Sequence, residues 1–178
     1  MKNKKILMII AHKDFRDEEY FLPLEIFRRG GAEVTTASSK TGIALGVLGG
    51  EAEVTLNIKN AQVDNFDAVV FVGGGGAQEY FENKEVHRIV KEFNEAGKIT
   101  AAICIAPVIL AKAGVLKGRT ATVWSNKMDK TGPKALEKGK CTVSKNSVEI
   151  SENIVTANGR EASEEFARKI IENLRESS

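Results

Sequence analysis

Histidine and cysteine are the scarcest reactive residues of this chain, and their scarcity removes much chemistry. There are two histidines, His12 and His87, and two cysteines, Cys104 and Cys141. No Cys-x-x-Cys or His-x-x-x-His pair occurs, and two isolated histidines cannot build a three-histidine zinc site, so no metal is expected. Two cysteines form no disulfide framework. Aromatic residues make up 6% of the chain, with Trp124 its one tryptophan, so few rings are available to stack on bases. Neither sign of charge dominates: 26 Lys and Arg against 24 Asp and Glu leave +2, which is no footprint for nucleic acid. The basic run Lys127, Lys130, Lys134, Lys138 and Lys140 reads as a solvated face. No apolar run approaches the ~18 residues of a membrane span. Ile6 to Ala11, behind Lys2, Lys4 and Lys5, is too short for a signal-peptide core, and no small-residue cleavage pattern follows it. A cytoplasmic protein with neither nucleic-acid nor membrane partners is expected.

What is present suits a globular domain. The 178 residues are 42% hydrophobic, enough to bury a core without staples, and one domain over residues 1–178 is expected. Ile6 to Ile10 and Asp67 to Val72 are continuous apolar runs of the length of strands buried on both faces. Glu33 to Ala37, Lys98 to Ile103, Arg119 to Val123, Cys141 to Val143, Val148 to Ile150 and Ile154 to Ala157 read as further strands. Helices are expected over Asp17 to Gly30, around Val86, Ile89, Val90 and Phe93 behind an Asn83 cap, over Pro107 to Ala113, over Met128 to Leu136, and along Ala162, Phe166, Ile170 and Leu174. Pro23 either starts or kinks the first helix. Thr41 to Ile58 reads as a hairpin or irregular excursion. Strands alternating with helices argue for an α/β sandwich around a mainly parallel sheet, with sites at the carboxyl ends of its strands. The ends to inspect follow Ile10, Val72, Ile103 and Val123.

After Ile103 a single cysteine separates a strand from a helix that opens with Pro107. This is the layout of a nucleophile elbow with a thiol in place of a hydroxyl. Ala102 and Ala106 leave room for the turn, and a helix N-terminus favours a thiolate. Cys104 equally reads as a buried cysteine packing as a small hydrophobe. Gly73 to Gly76 follow Val72 and expose N–H groups that suit an oxyanion, or else form a turn needing φ > 0. The spacing is neither a dinucleotide fingerprint nor a Walker loop. Asp17, Glu18 and Glu19 follow the first strand, as a partner for the thiol or as ordinary acids of a helix first turn. His12 is either a base for Cys104 or a polar residue closing its strand. His87 reads as a surface residue, and Cys141 as a structural or incidental thiol.

Three segments together are more specific: AAICIAP at 101–107, VVFVGGGGAQ at 69–78, and Glu19-x-x-x-Pro23. With AGVLKGRTAT at 113–122 and TANGREASEEFA at 156–167, the chain from Lys5 to about Leu174 resembles the ThiJ/PfpI family. That family contains the Parkinson-associated deglycase and the archaeal intracellular proteases. The resemblance implies a three-layer α/β/α sandwich, flavodoxin-like and similar to class I glutamine amidotransferase domains, mainly parallel with a few short antiparallel strands. It implies a reactive cysteine matching Cys104 and a hydrogen-bonded glutamate matching Glu19. It further implies oxyanion donors from the N–H groups of Gly74 and Ile105. His12, Gly73, Gly75, Ala106 and Trp124 are the remaining residues expected around the pocket. Homodimers or higher homo-oligomers are expected.

One departure matters. Protease-like members carry A-x-C-H-G-P, whereas here Ile105 and Ala106 follow the cysteine, so the usual Cys–His pair is absent. Trp124 stands where a histidine or tyrosine often lies near the thiol, and an indole cannot act as a base. No histidine after His87 can supply the amidotransferase His-x-Glu. The expected function is therefore a cysteine-dependent enzyme acting on small 2-oxoaldehydes or their glycation adducts, of glyoxalase III or deglycase type, without a cofactor. The alternatives are a redox-sensing or chaperone-like stress protein using the same oxidisable thiol, and an intracellular cysteine peptidase using His12 or a partner's residue as base.

Overall fold

The computed structural model describes residues 3–176. Lys2 and the extreme ends of the expected domain lie outside them. Among the described residues seventeen α-helices and strands follow one another: β1 (Lys5–Ile9), β2 (Lys13–Phe15), α1 (Asp17–Arg29), β3 (Glu33–Ser38), β4 (Gly42–Gly46), β5 (Glu51–Val54), β6 (Leu56–Asn57), β7 (Ala68–Phe71), α2 (Lys84–Glu95), β8 (Ile99–Ile103), α3 (Pro107–Lys112), β9 (Thr120–Ala121), α4 (Thr131–Lys138), β10 (Thr142–Val143), β11 (Val148–Ser151), β12 (Ile154–Ala157) and α5 (Ser163–Glu176). The seven-stranded sheet runs β11-β12-β8-β7-β1-β3-β6, and only the β11–β12 pairing is antiparallel.

The apolar runs of β1, β7 and β8 are continuous because both faces of the sheet are covered. Leu7, Ile9, Val69 and Phe71 face one core with Val86, Ile89, Val90 and Phe93 of α2 and the apolar α3. Ile6, Met8, Val70 and Ile103 face the other with Phe27 of α1 and Phe166, Ile170 and Leu174 of α5. This is the expected α/β/α sandwich. Asn83 caps α2 by accepting from the N–H groups of Glu85 and Val86 at 3.0 and 3.2 Å. Pro23 lies inside α1, which continues to Arg29, so it neither starts the helix nor ends it.

Several expectations need correction. The strand expected over Arg119 to Val123 shortens to β9 and pairs with β10 in a separate two-stranded sheet. The helix expected from Met128 begins at Thr131, because Asn126 Oδ1 accepts from the N–H groups of Met128 and Asp129 and folds those residues into a turn. Cys141 is buried just ahead of β10. The Thr41–Ile58 excursion contains a β4–β5 hairpin, with the unexpected β2 added parallel to β4. Among the described residues no helix is long and apolar enough to cross a membrane.

Candidate functional site

Sheet order brings the site together. β12, β8, β7 and β1 are neighbours and all parallel. The segments leaving their carboxyl ends therefore meet at one edge: residues 158–161, 104–107, 73–76 and 12–16. A cavity of about 840 Å³ opens there.

Cys104 occupies the turn between β8 and α3 with φ +63°, the left-handed region. For a residue with a Cβ this conformation is uncommon, costs ~1–3 kcal/mol and clusters at functional sites. Bonds on both sides hold the turn in place. The Cys104 N–H donates to the Ala157 carbonyl at 2.9 Å, and the Cys104 carbonyl accepts from the Trp124 N–H at 2.8 Å. Ala102 and Ala106 are fully buried beside it, so larger side chains there would collide with the core. The elbow expected from the sequence is present, and its half-buried sulfur reaches the cavity.

The three consecutive acids after β1 have three different jobs. Asp17 accepts from the N–H groups of Leu48 and Gly50 at 2.8 and 2.7 Å and anchors the hairpin turn. Glu18 pairs with Arg16. Glu19 is 1% exposed, points inward from the first turn of α1, and accepts the Gly73 N–H at 3.1 Å. Its carboxyl also hydrogen-bonds the Cys104 thiol. The reading of these acids as a plain helix first turn is therefore incomplete.

The glycine loop is shaped by this pair. A Cβ on Gly73 would overlap Glu19 Oε2 and lie 2.5 Å from Cys104 Cβ. Gly74 adopts φ +103°, and a Cβ there would lie 2.6 Å from the Arg16 nitrogen. A Cβ on Gly76 would overlap the Lys13 carbonyl, whereas Gly75 faces open space. The loop thus meets both expectations at once, a turn with φ > 0 and a set of inward N–H groups. The N–H groups of Gly74 and Ile105 both approach the sulfur.

Electrostatics correct the expected thiolate. Burial pushes the Cys104 thiol up to about 12, and the negative charge of Glu19 adds to the rise against the pull of the Gly74 and Ile105 N–H groups. Burial likewise pushes Glu19 up to about 7, opposed by the Cys104 and Gly73 hydrogen bonds and by Arg16. α3 has only six residues, so its end charge is too weak to outweigh desolvation and a carboxylate in contact. Near neutral pH the thiol therefore keeps its proton, and donates it to Glu19 when that carboxyl is ionised.

Of the residues expected around the pocket, Cys104, Glu19, Gly74, Gly75, Ile105 and Trp124 line the cavity. His12, Gly73 and Ala106 do not. The His12 carbonyl accepts from the Leu45 N–H at 3.0 Å, tying that residue to the hairpin side. Gly73 lies beneath the Glu19–Cys104 contact, and Ala106 is sealed in the core. Arg16, Gln78 and Phe81 also line the cavity, together with Asn158 and Arg160 beyond β12. Those beyond β12 were open to the strand-end rule, because Ile154 to Ala157 was recognisable as a strand. Gln78 lies in a short helical turn that begins within the glycines, and Phe81 just past its end; so short a turn carries no periodic signal.

A family model described as the DJ-1/PfpI family matches residues 4–173. The chain belongs to the DJ-1/PfpI family. A Methanocaldococcus jannaschii protein described as uncharacterised is 38% identical over 175 residues, covering 96% of this chain and 82% of that one. The Pyrococcus furiosus protein named deglycase PfpI is 36% identical over 118 residues, covering 66% of this chain and 70% of its own. The crystal structure of a ThiJ/PfpI domain protein from Brachyspira murdochii superposes with a TM-score of 0.94 at 32% identity, covering 100% of both chains. Family and flavodoxin-like fold thus agree with the sequence resemblance.

Proposed function

We propose that this family member is a cysteine-dependent enzyme acting on reactive 2-oxoaldehydes or on the adducts they form with amines. The observation that carries the reading is the Cys104 thiol on the wall of a large cavity, hydrogen-bonded to the buried carboxyl of Glu19, with the N–H groups of Gly74 and Ile105 beside it. The deglycase name of a relative at 36% identity supports the same chemistry. Ile105 leaves no imidazole next to the thiol, so Glu19 is the base within reach.

The steps balance without a cofactor. As sulfur attacks the aldehyde carbon, the thiol proton passes to Glu19 and the carbonyl oxygen gains the electron pair. Glu19 then hands that proton to the oxygen, giving a hemithioacetal and returning to the carboxylate. Glu19 next takes the hydrogen of the same carbon as a proton while the neighbouring carbonyl oxygen is protonated, leaving an enediol; the proton then returns to the neighbouring carbon as the hydroxyl on the first carbon gives up its own. The product is a thioester of a 2-hydroxy acid. Water cleaves the thioester, releasing the hydroxy acid and restoring the thiol. With an amine adduct, the free amine leaves as the carbon–sulfur bond forms.

The test is the consumption of methylglyoxal without glutathione, followed by lactate formation. Wild-type protein is expected to form lactate, and Cys104→Ala to lose at least a hundredfold of the rate, within the range nucleophile and general-base catalysis supply together. Turnover no greater than that of Cys104→Ala, on both methylglyoxal and its amine adducts, would end the proposal.

A further inference from the structure

Arg16 went unnoticed in the sequence because it sits just before α1 in a run of charged residues. Its main chain joins the two halves of the site. The Arg16 N–H donates to the Gly73 carbonyl at 3.0 Å, and its carbonyl accepts from the N–H groups of Glu19 and Tyr20, each at 3.2 Å. Its side chain pairs with Glu18: Nη2 donates to Oε1 at 3.1 Å, and Nε lies 2.9 Å from Oε2 as a charge contact without hydrogen-bond alignment. One charge-assisted hydrogen bond and one close charge contact restrict where the guanidinium can turn. Arg16 lines the cavity, and its positive charge acts on both Glu19 and Cys104. Among the described residues, the charged groups at this wall besides Arg16 and Glu19 are Asp129 ahead of α4 and Arg160 and Glu161 ahead of α5, and Glu18 on α1 is drawn by both Arg16 and Arg160.

We infer that Arg16 is a positioning residue: clamped by Glu18, its guanidinium holds the one negative charge of the Glu19–Cys104 pair inside the cavity. The inference rests on the proposed function for its catalytic meaning, since the same charge must move from carboxylate to substrate oxygen as sulfur attacks. Its physical content is independent of any substrate. Removing the cation favours the doubly protonated pair, in which Glu19 cannot accept the thiol proton.

Alkylation of Cys104 by iodoacetamide reads this directly. Sulfur forms a bond to carbon, iodide leaves, and the thiol proton passes to Glu19. The rate is measured against pH from 5 to 9 on the intact protein, with Cys104 modification located by mass. Arg16→Gln is expected to move the acid limb upward by about one pH unit and to slow alkylation about tenfold at pH 6. Arg16→Lys, which keeps the charge, is expected to stay within about twofold of wild type. An Arg16→Gln profile that overlays the wild type would overturn the inference, as would an Arg16→Lys profile displaced as far as Arg16→Gln. If Arg16→Gln does not fold, as judged by near-ultraviolet circular dichroism, the Arg16→Lys profile decides alone. Methylglyoxal turnover is followed in parallel. A displaced Arg16→Gln profile in a wild type without turnover removes the proposed activity and leaves the role of Arg16. An unmoved profile in an active enzyme removes that role alone.

Discussion

Cys104 pays twice for its position, once in a left-handed backbone and once in a buried thiol beside a carboxylate. Neither feature helps the fold, and backbone strain of this kind clusters at functional sites. Gly73 shows how closely the neighbours are drawn in. Gly73→Ala must push Glu19 or Cys104 aside, and is expected to lower stability by about 1–3 kcal/mol as other overpacking changes do. Gly75→Ala meets open space and should stay within about 0.5 kcal/mol. Urea unfolding of both variants checks the pair, and equal losses would contradict the geometry. At this scale the sequence pointed to Cys104 and Glu19, which the structure brings to one cavity wall, because a lone cysteine between an apolar strand and a proline has few readings. It did not reveal the protonation state. The burial of Glu19 depends on Gly73 and Cys104, just past β7 and β8, closing over it, and no spacing along the chain records that.

The elements explain why some parts were read well and others poorly. β1, β7, β8 and α2 carry long periodic or continuous apolar patterns, set by two cores that cover the sheet. β2, β6, β9 and β10 are two or three residues long, too short for any period, and are held by partners distant in sequence. The hairpin of β4 and β5 is a further case. Its turn is fastened by the carboxylate of Asp17 on another element, with Gly46 and Gly50 leaving space for that side chain. Asp17→Asn keeps the shape but weakens two charge-assisted bonds. It should cost about 1–3 kcal/mol. Hydrogen exchange should also speed at the Leu48 and Gly50 amides by roughly tenfold, with the sheet amides unchanged. Unchanged exchange at those two amides would show that the turn stands without Asp17.

For the whole molecule, the parallel order of β12, β8, β7 and β1 is the decisive fact. It gathers four strand ends into one cavity and delivers Glu19 from the first crossover to a thiol far along the chain. The cost appears as linkage between folding and proton binding. Burial raises Glu19 from an ordinary 4.5 to about 7 in the folded protein. The folded state therefore binds this proton more tightly than the unfolded chain does. The stabilisation is complete below pH 4.5 and is lost as pH rises through about 7. At neutral pH and above the molecule keeps a destabilising buried charge, and that same charge is the base the proposed chemistry requires. Catalysis through Glu19 should accordingly fade as pH falls below about 7.

The account therefore turns on how the Glu19 carboxyl titrates and whether it feels the thiol. Isotope-edited infrared spectroscopy of the carboxyl band, from pH 4 to 9, measures this in wild type and in Cys104→Ala. The wild-type midpoint is expected near 7. In Cys104→Ala, where the thiol hydrogen bond that favours the carboxylate is gone, the midpoint is expected to rise. A midpoint near the ordinary 4.5, unmoved by loss of the sulfur, would contradict both expectations.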